Sequence, residues 1–368
     1  MTTTIKNNFA KNISIGKDSL TKLSAFVASA KPTQIFLLAD ENTFKHCYPK
    51  LKTHLPKAHT VIRIKSGEEN KTIGTCETIW KKLTDANADR NSLLINLGGG
   101  VIGDMGGFAA GCYKRGIKFI NVPTTLLAMV DASVGAKTAI DFMGFKNQIG
   151  LFNDPEGVYI YTDFLKTLSD RELKAGMAEV IKHYLIADSK AFFELASLIT
   201  IKPGRQYNIR KLNWDALVEK NVAIKSKIVS QDKFEKGNRK ALNFAHTVGH
   251  AVETFFLKKG VKLLHGEAVA IGIVCENHIA ISLNLLQRDK IAHIFILLIS
   301  LFPALPSFHK NSIPGILKLM QQDKKNVSGK YQFTLLNGIG NFSINNSVEE
   351  HVIIQALEYY SEMTRIHK

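Results

Sequence analysis

His246 and His250 stand four residues apart in Asn243-Phe244-Ala245-His246-Thr247-Val248-Gly249-His250-Ala251-Val252-Glu253, a stretch that reads as helical. At that spacing the two imidazoles share one helix face. Such a pair is a common beginning of a metal site, and a third ligand from elsewhere completes it. His265, in His265-Gly266-Glu267, follows a loop and opens the next helix, where its side chain can face back. Glu179 is a carboxylate on a largely apolar helical stretch, residues 176–183. Taken singly, any of these histidines reads equally as a hydrogen-bonded core or surface residue. Spacing alone does not choose His246 over His250 as the ligand.

A second cluster suits phosphate. The apolar run of residues 92–97 leads straight into Gly98-Gly99-Gly100-Val101-Ile102-Gly103-Asp104-Met105-Gly106-Gly107. Gly98, Gly100 and Gly103 satisfy G-x-G-x-x-G between a strand and a helix. There the backbone approaches a pyrophosphate closely, and the helix N-terminus supplies free N–H groups and the positive end of its dipole. The full dinucleotide fingerprint also wants an acid about 20 positions later, but the matching stretch is Phe119–Pro123 and the next acid is Asp131. The turn is therefore expected to hold a dinucleotide outside the standard Rossmann arrangement. A plain tight turn packed against its neighbours is the alternative.

The elements that must position these groups follow from periodicity. Residues 34–40, 60–64, 92–97 and 118–123 read as strands, with helical character at 77–85 and 101–114, so the first half is α/β with a mainly parallel, Rossmann-like sheet. Near Leu168 the texture changes. Ser169-Asp170-Arg171-Glu172 fits a capping box, and helical patterns follow at 172–186, 214–229, 241–256, 266–283 and 290–302. Another box, Ser347-Val348-Glu349-Glu350, is expected to open a last helix to about Tyr360. Two domains are expected: residues 1–168, α/β and nucleotide-binding, and residues 169–368, all-α and carrying the metal candidates. The length of 368 residues, beyond what one core usually serves, agrees.

Composition narrows the classes. The formal net charge of +16 admits nucleic-acid binding. The basic residues, however, are scattered, without a compact block interleaved with aromatics, so a solvated basic surface is the better reading, one compatible with steering an anionic small molecule, and no nucleic-acid partner is expected. Four scattered cysteines (Cys47, Cys76, Cys112 and Cys275) form no CxxC pair, which argues against a thiolate zinc site or disulfide framework and suits a reducing, cytoplasmic compartment. The N-terminus does not read as a signal peptide. The most apolar run, residues 294–302, is about half a membrane span and is expected to be a buried helix.

Several long, ordered motifs resemble the 3-dehydroquinate synthase family from about residue 40 to 340. They are Tyr113-Lys114-Arg115-Gly116, the run Pro123 to Thr138 with Asp131 and Lys137, Lys146-Asn147, Ala178-Glu179-Val180-Ile181-Lys182, Asn243 through Glu253, His265-Gly266-Glu267 and Asp323-Lys324-Lys325. The resemblance implies zinc or cobalt held by Glu179, His246 and His265. It implies NAD on Gly98, Gly99, Gly100, Val101 and Asp104, with Asp40, Asn42, Glu68, Lys71, Thr124, Thr125 and Lys146 around it, and Phe164 and Thr167 closing that site. It further implies a substrate pocket of Asp131, Lys137, Asn147, Lys182, Lys225, Arg239, Asn243, His250 and Lys324, with Arg115 reaching the substrate phosphate across a homodimer interface. Lys137, Lys182, Asn147, Glu235 and His250 are then the candidates for catalysis.

The implied activity is that of a phosphorus–oxygen lyase of aromatic amino-acid biosynthesis, which closes 3-deoxy-arabino-heptulosonate 7-phosphate to 3-dehydroquinate. Sister cyclases making inosose or valiolone compounds, and metal-dependent polyol dehydrogenases of the same fold, are the alternatives. The chain departs from the family pattern at Ala136 and Ala245, where glycine is usual, at Asp141, where asparagine is usual, at Phe145, and at His183-Tyr184.

Overall fold

The computed structural model describes residues 3–5, 13–200, 207–321 and 331–366. The chain forms two compact units, one of residues 1–173 with 212–234 and the other of residues 174–211 with 235–368.

The first unit opens with β1 (Thr3–Ile5), β2 (Ile13–Ile15), α1 (Ser19–Ala30), β3 (Ile35–Asp40), α2 (Glu41–His46), α3 (Tyr48–Lys52) and β4 (Thr60–Ile64). It continues with α4 (Ile73–Asp85), β5 (Leu93–Gly98), α5 (Gly100–Cys112), β6 (Lys118–Pro123), β7 (Lys137–Phe142), β8 (Phe145–Phe152) and β9 (Val158–Ile160). A seven-stranded sheet runs β1-β2-β9-β6-β5-β3-β4, parallel throughout except for the β1–β2 pair. The expected parallel α/β layer is therefore present. Strands β3 and β5 are almost wholly buried along their length, which is why both read as unbroken apolar runs: a parallel strand covered on both faces has no polar side to present. The core on one face gathers Phe36, Ile62, Ile79, Leu94, Met105 and Phe119.

The order of strands sets the site. After β3 the chain moves outward to β4, and after β5 it moves the other way to β6, so the direction of winding reverses between β3 and β5. In open parallel sheets ligands bind at the carboxyl ends of the strands beside such a reversal. Asp40 and Gly98 end those two strands.

The hairpin of β7 and β8 was not expected. Its two-residue turn, Met143-Gly144, has φ of 51° and 79°, the geometry that two-residue hairpin loops favour, but methionine is no signal for it.

The segment from Asp170 on is mostly helical, as expected: α6 (Asp170–Ala187), α7 (Ser189–Ile199), α8 (Trp214–Gln231), α9 (His246–Lys258), α10 (His265–Ser282), α11 (Arg288–Leu301), α12 (Ile313–Gln321) and α13 (Glu350–Ile366). Of these, α8 belongs to the first unit. The second unit also holds an antiparallel pair, β10 (Tyr331–Gly338) and β11 (Asn341–Val348), so its helices are not its whole content. In β11 three asparagines dilute the branched and aromatic residues that announce a strand, here only Phe342, Ile344 and Val348. Helix α10 is buried nearly all round from Gly266 to Asn277 and packs on α9 and α13, as a helix apolar on every face must.

Three local expectations need correction. The helix predicted over 241–256 begins only at His246, because Ala245 takes a left-handed φ of 69° and Asn238–Asn243 forms a separate 3-10 turn. Ser347 caps nothing: it still pairs with Gln332 in the sheet, and α13 starts at Glu350. Helix α11 buries Ile294, Leu297, Leu298 and Leu301 but leaves Ile296 exposed, so it is amphipathic. The box at Ser169 is present, with Glu172 accepting from Ser169 N and Oγ and Ser169 Oγ accepting from Glu172 N. Among the described residues, no helix is long and apolar enough to cross a membrane.

Candidate active site

Helices α6, α9 and α10 bring the metal candidates of the second unit together. Glu179 Oε1 lies 3.5 Å from His246 Nε2 and 3.4 Å from His265 Nε2. His250 completes a cluster in which one ring nitrogen from each of His246, His250 and His265 lies within 4.8 Å of the others. Donors about 2.0–2.1 Å from a tetrahedral zinc ion stand about 3.3–3.4 Å apart, so the spacing of Glu179 from the two Nε2 atoms is that of a tetrahedron's edge. The other ring nitrogens are committed. His246 Nδ1 donates to the Phe244 carbonyl at 3.0 Å, and His265 Nδ1 donates to Glu253 Oε2 at 3.2 Å. Each bond places a proton on Nδ1 and turns Nε2 toward Glu179, so that Nε2 is the nitrogen that can exchange its proton for a metal, the arrangement that ligating histidines require. Two imidazoles and one carboxylate fit a borderline divalent cation.

Electrostatics in this cluster are opposed. Burial pushes the pKa of His246 down, and the Glu179 carboxylate only partly counters it. Burial also works against protonation of His265, but Glu179 and Glu253 outweigh it and hold that ring up at about 9. Lys182, one helical turn beyond Glu179, is 1% exposed and places Nζ 2.5 Å from Glu179 Oε2 and 3.2 Å from the Leu242 carbonyl. Arg239 is buried on the 3-10 turn before α9, and Asn243 Nδ2 donates to Glu235 Oε1 at 2.7 Å.

The glycine turn of the first unit is built of backbone. Gly99 caps α5, and the first N–H groups of that helix have no partner within it. A side chain at Gly98 would put its Cβ 2.5 Å from Ile102, so only glycine lets the end of β5 pack this closely on the first turn of α5. Thr124 N donates to the Gly98 carbonyl at 3.0 Å, and Thr125 Oγ1 accepts from Ala128 N at 3.2 Å, which sets the loop after β6 beside the turn. Exposed backbone, a helix N-terminus and a strand-end crevice are what a dinucleotide's phosphates need.

Beside the turn, Lys71 Nζ donates to Asp104 Oδ2 and to Asn147 Oδ1, both at 2.6 Å. Burial works to deprotonate Lys71, yet Asp104 and Glu68 raise its pKa and keep it an ammonium. Lys146 lies 3.5 Å from Glu68, and Lys225 Nζ reaches both the carbonyl (2.6 Å) and Oδ1 (2.9 Å) of Asp131. Asp40 caps α2 by accepting from Thr43 N at 2.8 Å, which leaves Asn42 exposed on that helix. Phe164 is buried, and Thr167 donates to its carbonyl at 2.7 Å. Lys137 is exposed at the start of β7. Lys324 lies outside the described residues.

Arg115 is placed differently. It is exposed beyond the C-terminal end of α5, whose 13 residues span about 20 Å and separate it from the glycine turn.

Three residues given no role by the sequence take part. Glu253 orients His265. Asp141 Oδ1 accepts from Asn147 N at 2.8 Å, while Asp141 N donates to the Lys71 carbonyl at 2.8 Å. Glu276, fully buried, accepts from Ala245 N and Val248 N. The only signal for Glu276 is a carboxylate within an apolar helix.

Known proteins place this geometry in context. The sequence model for the 3-dehydroquinate synthase N-terminal domain matches residues 61–175, and that for the C-terminal domain matches residues 176–326. A 3-dehydroquinate synthase of Parabacteroides distasonis is 40% identical over 357 residues, covering 96% of this chain and 98% of its own. Among solved structures, 2-deoxy-scyllo-inosose synthase complexed with carbaglucose-6-phosphate, NAD+ and Co2+ aligns with a TM-score of 0.82 at 24% identity, over 97% of this chain and 100% of that one. The 2-epi-5-epi-valiolone synthase of Streptomyces hygroscopicus subsp. jinggangensis, with NAD+ and Zn2+ bound, aligns at 0.80 and 24%, over 98% and 99%. At such identities the likeness of these two is one of fold. Identity of about two residues in five along nearly the whole length is a closer tie than shared fold, and by it the chain belongs to the 3-dehydroquinate synthase family.

Proposed function

We propose that this chain is a cyclase that converts 3-deoxy-arabino-heptulosonate 7-phosphate to 3-dehydroquinate with loss of phosphate, using NAD and a zinc or cobalt ion. The observation that carries the reading is the pair of Nε2 atoms, on His246 and His265, turned toward one oxygen of Glu179. Glu179, His246 and His265 would hold the metal, and the turn Gly98–Val101 with Asp104 and Lys71 would hold NAD. When bound, the metal would polarise a substrate oxygen and NAD would accept a hydride and return it, so that no reduced cofactor is released.

The chain's own residues bind, orient and move protons. Lys182 and Arg239 offer buried positive charge to the substrate's anionic groups, and charge-assisted bonds fix its geometry. Within the first unit, Lys137, Lys225 and Asn147 are the side chains suited to binding anionic groups, with Asn147 steadied by Lys71 and Asp141. Asp131, held by Lys225, and Asn243 accept and donate at substrate hydroxyls. Glu235, oriented by the Asn243 amide, and His250, the histidine outside the ligand set, carry protons.

The protein is expected to act as a cytoplasmic homodimer. Support comes from the β7–β8 hairpin. Among the described residues β8 pairs with β7 alone, and Phe142, Met143, Phe145, Ile149, Leu151 and Phe152 are all exposed. An apolar strand edge of this kind calls for a cover. Asn147, near the start of β8, is bonded at the glycine end of α5, whereas Leu151 lies against Gly111 at the Arg115 end. Antiparallel pairing of two β8 strands about a two-fold axis would carry Arg115 of each copy toward the other's Asn147.

The test is phosphate release from 3-deoxy-arabino-heptulosonate 7-phosphate with catalytic NAD and added zinc or cobalt, before and after chelation. Metal-dependent release without accumulating NADH supports the reading. A folded, metal-loaded protein that releases none is not this cyclase.

A further inference from the structure

Helix α9 lacks a capping side chain of its own, since its N-cap residue is Ala245. The task falls to α10. Glu276 Oε2 accepts from Ala245 N at 2.7 Å and Oε1 accepts from Val248 N at 3.1 Å, which satisfies donors that the start of a helix leaves open. Its negative charge also complements the positive end of the α9 dipole.

The turn it holds is a strained one. Ala245 has φ 69° and ψ 0°, a left-handed conformation that costs an alanine roughly 1 kcal/mol or more. Gly272, one helical turn before Glu276 on the same face of α10, accommodates that turn: a Cβ there would stand 1.9 Å from the Ala245 carbonyl oxygen. The neighbouring Phe244 carbonyl is the acceptor for His246 Nδ1. The linkage therefore runs from Glu276 through the turn at Ala245 to the Phe244 carbonyl, and from there to the nitrogen of His246 that faces Glu179.

We infer that Glu276 is a positioning residue for the metal site: by pinning the left-handed turn at Ala245 from α10, it fixes the carbonyl that orients His246. The inference rests on the metal reading above. It predicts that metal affinity depends on a carboxylate outside the proposed ligand set.

The test uses the full chain loaded with zinc or cobalt. Glu276→Gln keeps the shape but leaves one oxygen to do the work of two. It is expected to fold, to bind zinc 10–100-fold more weakly in competition with a chelator, as the loss of an outer partner of a ligating histidine commonly does, and to change the visible spectrum of the cobalt form. Adding Ala245→Gly to that variant is expected to restore part of the affinity, because glycine enters the left-handed region without help. Ile79→Val, a change in the buried core of the first unit that lowers thermal stability away from α9 and α10, is expected to leave affinity unchanged. Glu276→Asp, which keeps the charge and withdraws the oxygens by one methylene, replaces the first variant if that does not fold. A folded Glu276 variant with wild-type affinity and cobalt spectrum overturns the inference, as does an equal loss in Ile79→Val. A wild type that takes up no metal overturns the metal reading with it.

Discussion

Glu253 Oε2 accepts a hydrogen bond from His265 Nδ1 at 3.2 Å, and that contact decides which ring nitrogen His265 turns toward Glu179. Glu253 and His265 are twelve residues apart on different helices. Glu253→Ala is expected to lower zinc affinity 10–100-fold with the fold retained, measured by chelator competition and circular dichroism. Unchanged affinity would remove Glu253 from the site.

Removing the inner groups is expected to separate the histidines. Glu179→Ala, His246→Ala and His265→Ala should each reduce bound zinc to background by elemental analysis. His250→Ala should retain zinc and lose turnover by 100-fold or more, the range of a proton carrier. Zinc lost from His250→Ala and kept in His246→Ala would reverse their roles.

The Lys71–Asp104 pair lies beside the glycine turn, with the two side chains 4% and 20% exposed. Breaking a buried pair by removing one partner leaves the other charge uncompensated, which typically costs 3–5 kcal/mol. Lys71→Met is accordingly expected to lose about 3 kcal/mol in denaturant unfolding and to weaken NAD binding, read by fluorescence titration with NADH.

Asp141 stands where the family usually has asparagine. Burial pushes its carboxyl above the ordinary carboxylate range, against the bond from Asn147 N. A carboxyl whose pKa is raised on folding binds more protons in the folded state, so stability is lost as pH rises through that folded pKa. Asp141→Asn keeps an oxygen for Asn147 N. It is expected to be more thermally stable than wild type at neutral pH, with the difference vanishing as the pH falls below about 4. A constant difference across that window would contradict the assignment.

Arg115 offers a test of the two-fold arrangement. Arg115→Ala and Lys137→Ala are each expected to be nearly inactive with metal still bound. If each site takes Arg115 from the partner subunit, mixing the two after dissociation should restore about a quarter of wild-type activity, since half the random dimers then hold one intact site. No recovery in mixed dimers would place Arg115 in its own chain's site.

The histidine pair was legible because the 3.6-residue period of a helix ties His246 to His250, and the strands were legible because buried parallel strands leave long apolar runs. The glycine turn was also readable as the junction of a strand and a helix, since β5 ends at Gly98 and α5 starts at Gly100. Spacing left the choice between His246 and His250 open, because that choice depends on where α6 and α10 set Glu179 and His265 against α9. The break at Ala245 is hidden in the sequence for a similar reason. Alanine favours helix locally, and only the hold of Glu276 and the space at Gly272, some thirty residues later in the chain, keep it left-handed. The hairpins were hidden in mixed polar sequence, where pairing with a neighbour rather than intrinsic preference makes the strand. Chemistry that follows from one residue's neighbours along the chain is written in the sequence, whereas which atom of each group faces the site is decided by contacts that only the tertiary fold creates.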